Sequence, residues 1–429
     1  MSEMSRVSRR VVITGAGLLS SLGDDAAALH AALVAGESGI RPITIFPTAG
    51  LGCVQGGEIR DFDAAAYLGA ERNVRPLDRL SRLVAAAAGR ALAGAGWTPA
   101  DLAGRPEGHE VGLVLGTMFC GLRTIAEFDR RNLTRGPSYA SPLDFANTVI
   151  NAAAGQTAIW HGLTGVNSTV AGGAASGLQA IAQGAELIRS GRADAVLAGG
   201  ADELCFETFY GFYRAGQLCG SVPATSGGGE FPIPFDARRN GFALAEGAAL
   251  VMLEEADAAA ARGARVLAEV RGHGTAFDSS RGEDDARASR AVARAIAAAL
   301  ADAGVEADAV GFVSAAANGS VRGDRHEAAG LAAALGPRAA GVPAEVPVTA
   351  IKSMLGESLG AAAVLQVIDA LETWRDGRLP GIPGLEPEPG LPLALAGHSR
   401  RAGGLALVDA LGFDGVAAAL LLGPGEEAR

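Results

Sequence analysis

Along the chain, short runs of β-branched and small apolar residues alternate with longer alanine-rich stretches whose apolar positions recur at helical spacing. The pattern predicts strands over residues 11–14, 111–115, 195–198 and 248–254, then over 266–271, 310–315, 348–350, 405–409 and 416–422. It predicts helices over 78–96, 174–190 and 287–303. Such alternation argues for an α/β architecture whose sheets are covered on both faces. The order of elements runs twice, so the expectation is a duplicated βα unit: two sheets sandwiched by helices, with halves 1–255 and 256–429. Gly227–Gly229 and the proline-rich stretch 380–392 read as loops rather than linkers.

Composition narrows the function. The 429 residues carry 36 basic and 47 acidic side chains, a net charge of −11, which disfavours a nucleic-acid or anionic-membrane footprint. No stretch approaches the ~20 unbroken apolar residues that span a bilayer. Ser8-Arg9-Arg10 resembles the start of an export signal, but only Val11-Val12-Ile13 follow before Thr14-Gly15-Ala16-Gly17, and a strand entering a glycine turn fits better. Cys53, Cys120, Cys205 and Cys219 form no CxxC pair and no metal-ligand spacing with the six histidines. Unpaired core thiols in a reducing cytoplasm are expected, with no metal site. Lys352 is the only lysine among the 36 basic residues, an exception that asks for its own reason.

Three glycine-rich junctions are candidates for chemistry. Gly15-Ala16-Gly17 lacks the rest of a dinucleotide fingerprint and reads as a tight turn. NSTVAGGAASG at 167–177 runs from a strand into a helix, and a helix N-terminus favours negative charge, so a nucleophile or oxyanion belongs there. AAANGSVRGD at 315–324 again follows a strand.

The segments VVITGAGLLSSLG (11–23), GLVLGT (112–117), SGLQAIAQGAELIRSGRADAVLAGGAD (176–202), PFDARRNGFALAEGAA (234–249), GDRHE (323–327), IKSMLGESLGAAA (351–363) and ALGFDG (410–415) resemble the β-ketoacyl synthase family, in order and spacing across nearly the whole chain. The resemblance implies a thiolase-type fold, two duplicated βα halves in an α-β-α-β-α sandwich. It also implies an active site of one nucleophilic cysteine and two histidines, which take the acyl group, decarboxylate a malonyl thioester and stabilise the enolate. Counted from local anchors, these positions hold Ala174, Ala316 and Glu357. A methyl group forms no thioester, and a carboxylate opposes an enolate. Ser176, the nearby hydroxyl, matches a serine that active members also carry.

The resemblance therefore points to a catalytically silent subunit: the chain-length factor, or ketosynthase β-subunit, of type II polyketide synthases. Such a subunit pairs with an active ketosynthase α-subunit and shapes the tunnel into which the chain grows, without a cofactor. Ala174 stands where the commoner aromatic-pathway factors carry glutamine, which leans toward a reducing, polyene-forming system. Lys352 is expected as a structural tie to the Glu327 carboxylate, with Glu357 as a competitor. The tunnel is expected along Thr117, Met118 and Phe119 and the following helix, through Leu122, Ile125, Phe128 and Asp129, with Phe128 the leading end-stop and core packing the bland alternative. Phe413 corresponds to the residue that gates the nucleophile, on a loop stiffened here by Asp414. Residues 141–177, with Val149, Ile150 and 152–155, are expected at the subunit interface. The acyl carrier protein should dock mainly on the partner, with Arg130, Arg131 and Arg135 as minor contacts. Two rival readings stay open: a divergent acyltransferase using Glu357 with His326, and a homodimeric acyl-binding scaffold.

Overall fold

The computed structural model describes residues 9–69, 72–104, 110–221, 232–337 and 345–425. In the first half the long strands are β1 (Val11–Leu19), β2 (Val111–Gly116), β3 (Asn167–Val170), β4 (Ala195–Asp202) and β5 (Gly247–Glu255). In the second they are β6 (Ala268–Phe277), β7 (Val310–Ser314), β8 (Pro347–Thr349), β9 (Leu405–Leu411) and β10 (Val416–Pro424). The first half runs in space β3-β2-β4-β5-β1 and the second β8-β7-β9-β10-β6, with Ala394–Leu395 added at the far edge. In each, three strands are parallel and the last two pairings antiparallel. The duplicated order read from the sequence is thus a duplicated topology. The two sheets are not separate, because Val11–Ile13 of β1 pair with Ala268–Val270 of β6 and join the edges into one eleven-stranded mixed sheet.

The principal helices are α1 (Arg79–Gly94), α2 (Leu122–Arg135), α3 (Ala152–His161), α4 (Ser176–Arg189), α5 (Phe206–Arg214), α6 (Asp285–Ala303), α7 (Val321–Leu335) and α8 (Ala362–Asp376). Side chains alternate along each strand to serve two cores. In β4, Val196 and Ala198 face a central cluster while Ala195 and Leu197 face an outer one with Leu80, Leu83 and Val84 of α1. In β9, Ala406 and Val408 join the central cluster, and Leu407 packs outward with Val292, Ile296 and Leu331 of α6 and α7. The middle layer is α4 and α8, whose Leu178, Ile181, Val364 and Ile368 touch both halves. Helix α8 is absent from the sequence-based assignment because it is buried nearly all round and so lacks an amphipathic period.

Gly15 and Gly17 do not form the expected turn, since β1 continues through them to Leu19. They are where a helix backbone lies against the strand: a Cβ on Gly15 would come within 2.3 Å of the Ala91 carbonyl oxygen, and one on Gly17 within 2.1 Å of that of Ala87. Gly272 and Gly274 of β6 do the same against Ala299 (2.3 Å) and Ala295 (2.1 Å) of α6. The packing device is therefore duplicated along with the topology. This layering is the thiolase-type fold. No helix among the described residues is long and apolar enough to cross a membrane.

Candidate functional site

Ala174 lies in a single 3-10 turn, Gly173–Ala175, between β3 and the start of α4, and is buried. Gly173 has φ 61°, a left-handed value that suits glycine. A Cβ there would lie 3.0 Å from the Asp414 carboxylate. That carboxylate also accepts from the Val416 N–H (3.3 Å), so Asp414 braces its own loop beside the Gly173–Ala175 turn. The Gly173–Ala175 turn packs on a second one, Leu359–Ala361, which begins two residues after Glu357.

Glu357 is turned inward by Gly356, whose φ is 81°. Its Oε2 accepts from Lys352 Nζ (2.8 Å) and Asn318 Nδ2 (2.9 Å), and its Oε1 from the Leu359 N–H (3.0 Å). Both members of this ion pair are buried. The tie expected from Lys352 to Glu327 is therefore corrected: the ammonium bonds Glu357, five residues on, because the glycine turn folds that carboxylate back over the lysine. Glu327 instead faces Asp409. The Ala316 N–H donates to Glu327 Oε1 (2.6 Å) and to Asp409 Oδ1 (3.1 Å). Burial first, then the Asp409 charge, push Glu327 well above the usual carboxylate range, while burial lifts Asp409 to about 6. Glu327 holds its proton and shares it with Asp409.

Ala174 and Glu357 thus lie on either side of the Leu359–Ala361 turn, and the loop that carries Ala316 reaches Glu357 through Asn318. A cavity of about 460 Å³ reaches Ala316, Asn318, His326, Glu327 and Phe413 but not Ala174 or Glu357. His326 is bonded to Asp285 (Nε2···Oδ1 2.7 Å), so the suggested Glu357–His326 pair is not assembled. Burial pushes the Cys120 and Cys205 thiols up to about 12, far from a reactive thiolate. The four cysteines are buried and form no disulfide, and the described residues contain no metal-binding cluster.

Of the expected tunnel residues, Met118 and Phe119 share one apolar cluster with Phe413. Phe413 packs against Phe212 (5.2 Å between ring centres) and Phe242 (5.3 Å), and Phe119 meets Phe212 edge-on at 6.0 Å. Leu122, Ile125 and Phe128 on α2 are half-buried, Phe128 against Phe145 at 5.8 Å, whereas Asp129 is exposed. Thr117 is buried and donates to Asp202 Oδ1 (2.8 Å). Asp202 also accepts from the N–H groups of Met118 (2.8 Å), Phe119 (2.9 Å) and Gly360 (2.9 Å), tying the segment after β2 to the turn beside Ala174. The sequence marked Asp202 and Asn318 only as parts of motifs and did not single out Asp409, whose isolated polar letter inside an apolar run was the available signal.

In the expected interface, Val149, Ile150, Leu143 and Phe145 are exposed, while Ala152, Ala153 and Ala154 are buried core. Arg131 is engaged by Asp144 (2.6 Å), and Arg130 and Arg135 are exposed.

Fold and site together define a ketosynthase-type protein. Residues 8–259 match the "Beta-ketoacyl synthase, N-terminal domain" and residues 267–386 the "Beta-ketoacyl synthase, C-terminal domain". The chain belongs to the β-ketoacyl synthase family. It is 32% identical over 417 residues to "3-oxoacyl-[acyl-carrier-protein] synthase 2" of Vibrio cholerae, covering 96% of this chain and 98% of that one. It is 32% identical over 432 residues to "Granaticin polyketide putative beta-ketoacyl synthase 1" of Streptomyces violaceoruber, covering 98% and 100%. The solved structure "The ishigamide ketosynthase/chain length factor" superposes with a TM-score of 0.87 at 31% identity, covering 97% of this chain and 100% of that chain.

Proposed function

We propose that this chain is a non-condensing ketosynthase-like subunit, a chain-length factor, that pairs with an active ketosynthase and shapes the tunnel for a growing polyketide in the cytoplasm. The observation that carries the reading is the state of the three family positions. Two hold methyl groups, and the third holds a carboxylate locked by Lys352, Asn318 and the Leu359 N–H. This arrangement offers neither a nucleophile nor a donor for an enolate oxygen. Exposed Leu143, Phe145, Val149 and Ile150, beside the open edge strand β3, support a partner on that face. The ketosynthase/chain length factor structure among the relatives supports the same pairing. Ala174 in place of glutamine supports a reducing, polyene-type system, with carrier docking mainly on the partner.

Affinity purification of the tagged chain from its source, with native mass measurement, tests the reading. A 1:1 complex with a ketosynthase bearing the Cys-His-His set is expected. Recovery of the chain only with itself, or condensation of malonyl-carrier by the isolated chain, would overturn it. Within the reconstituted complex, Phe128→Ala is expected to lengthen the product, and unchanged length would remove Phe128 as the end-stop.

A further inference from the structure

Phe212 of α5, Phe242 and Phe413 lie against one another as a closed group of rings. Ring centres are 5.2 Å apart for Phe212–Phe413 and for Phe212–Phe242, and 5.3 Å apart for Phe242–Phe413. Phe119 meets Phe212 edge-on at 6.0 Å, so Phe212 touches all three other rings. The backbone fixes its place. At the end of α5 the Gln217 N–H donates to the Phe212 carbonyl (3.0 Å), and the Gln217 carbonyl accepts from the Phe242 N–H (3.1 Å). One residue therefore sets the Phe212 and Phe242 rings against each other.

Two apolar spaces meet at Phe212. On one side is the cavity of about 460 Å³, lined by Phe212 and Phe413 together with Val292, Leu411, Val416 and Ala417. Polar groups in that lining are bonded to the protein. Arg322 and His326 pair with Asp285 (2.8 and 2.7 Å), and Asp278 accepts from the N–H groups of Ser280 (2.9 Å) and Gly282 (2.7 Å). On the other side are Met118 and Phe119, held through their N–H groups by Asp202. Among the described residues the cavity lining includes Phe212 but neither Met118, Phe119 nor Phe242. Phe212 is half-buried where Phe242 is fully buried, as befits a ring with one side on open space.

We propose that Phe212 is a chain-length determinant that acts as a partition: its ring closes the Met118–Phe119 segment against this chain's own cavity. A smaller side chain there lets an apolar acyl chain turn into that space. Truncating a packed aromatic leaves a void that its surroundings fill only in part, and a void at this point joins the two spaces. The inference rests on the tunnel reading above and adds a second stop, on α5, to the one expected on α2.

Two readouts test the partition. In the full chain alone, methyl NMR signals of Met118 and Val416 are followed during titration with hexanol. In the unsubstituted chain hexanol should shift Val416 and leave Met118 in place, whereas in Phe212→Ala it should shift both. In the complex reconstituted with the ketosynthase partner, Phe212→Ala should lengthen the main product by at least one malonyl-derived unit, and Phe212→Trp should not lengthen it. Thermal unfolding checks each fold, and Phe212→Leu, apolar but without the ring, serves if the alanine variant is unstable. A Met118 response in the unsubstituted chain, no Met118 response in the variant without the ring, or unchanged product length from a complex that forms would each overturn the proposal. Absence of a 1:1 complex with a ketosynthase overturns the subunit reading instead, and the methyl readout then decides the partition alone.

Discussion

Glu357 and Glu327 are both buried glutamates bordering the same candidate site, and they meet opposite surroundings. Glu357 receives an ammonium, an amide N–H and a backbone N–H, and it sits in an ion pair. Glu327 receives one backbone N–H, looks at a second carboxyl, and keeps its proton. Equal burial does not set the charge. The number and kind of donors do, because desolvation of an anion is offset only by groups that point at it. Lys352 and Glu357 form a closed salt bridge, and behind it the Glu327 and Asp409 carboxyls are both held above the usual carboxylate range.

The comparison breaks most visibly at the lysine. Lys352→Met strands the Glu357 charge and should cost about 3–5 kcal/mol in urea unfolding at pH 7, with most of it recovered in Lys352→Met/Glu357→Gln. Loss of stability by the double variant equal to the single would mean that packing, not charge, sets the cost. Asp202→Asn comes next. An amide cannot accept from Thr117, Met118, Phe119 and Gly360 together, so a loss of about 2 kcal/mol is expected, with loosened Met118 and Phe119 amides in hydrogen exchange.

The raised carboxyls predict a pH profile of definite sign. Their folded pKa values lie above the unfolded ones, so their contribution to stability is full below about 4 and is lost as pH rises. The loss runs through about 6 for Asp409 and about 8 for Glu203. Unfolding free energies across this range should decline with pH. Asp409→Asn should flatten the lower part and Glu203→Gln the upper, and an unchanged slope would refute the assignment. Glu327→Gln, which replaces an acid already neutral, should change stability at pH 7 by less than about 1 kcal/mol. Smallest of all is Ala174→Cys. One added sulfur at a buried turn should shift stability by under about 1 kcal/mol, and malonyl-carrier assays of the isolated chain should still show no condensation, since Ala316 and Glu357 supply neither histidine.

Much of this was legible beforehand. Strand and helix periods gave the duplicated α/β order, and the motif segments pointed to the family that the domain matches show. The solitary lysine marked a special environment before any contact was known. What failed did so for physical reasons. The Gly15–Gly17 segment read as a turn because glycine signals both turns and close helix approach, and only the position of α1 separates the two. Asp129 was placed on a tunnel face by helical spacing, yet it is exposed, since spacing assigns a face but not what lies opposite.

By itself the sequence determined the fold class and the internal duplication, because these follow from local periodicity and from residue types at fixed offsets. Only the tertiary structure decided which carboxylate takes Lys352, that Glu327 meets Asp409 across 82 positions of chain, and that Asp202 ties two distant turns together. Such pairings are chosen by distance in space and by competition for a limited set of buried donors, and neither is written in the order of residues.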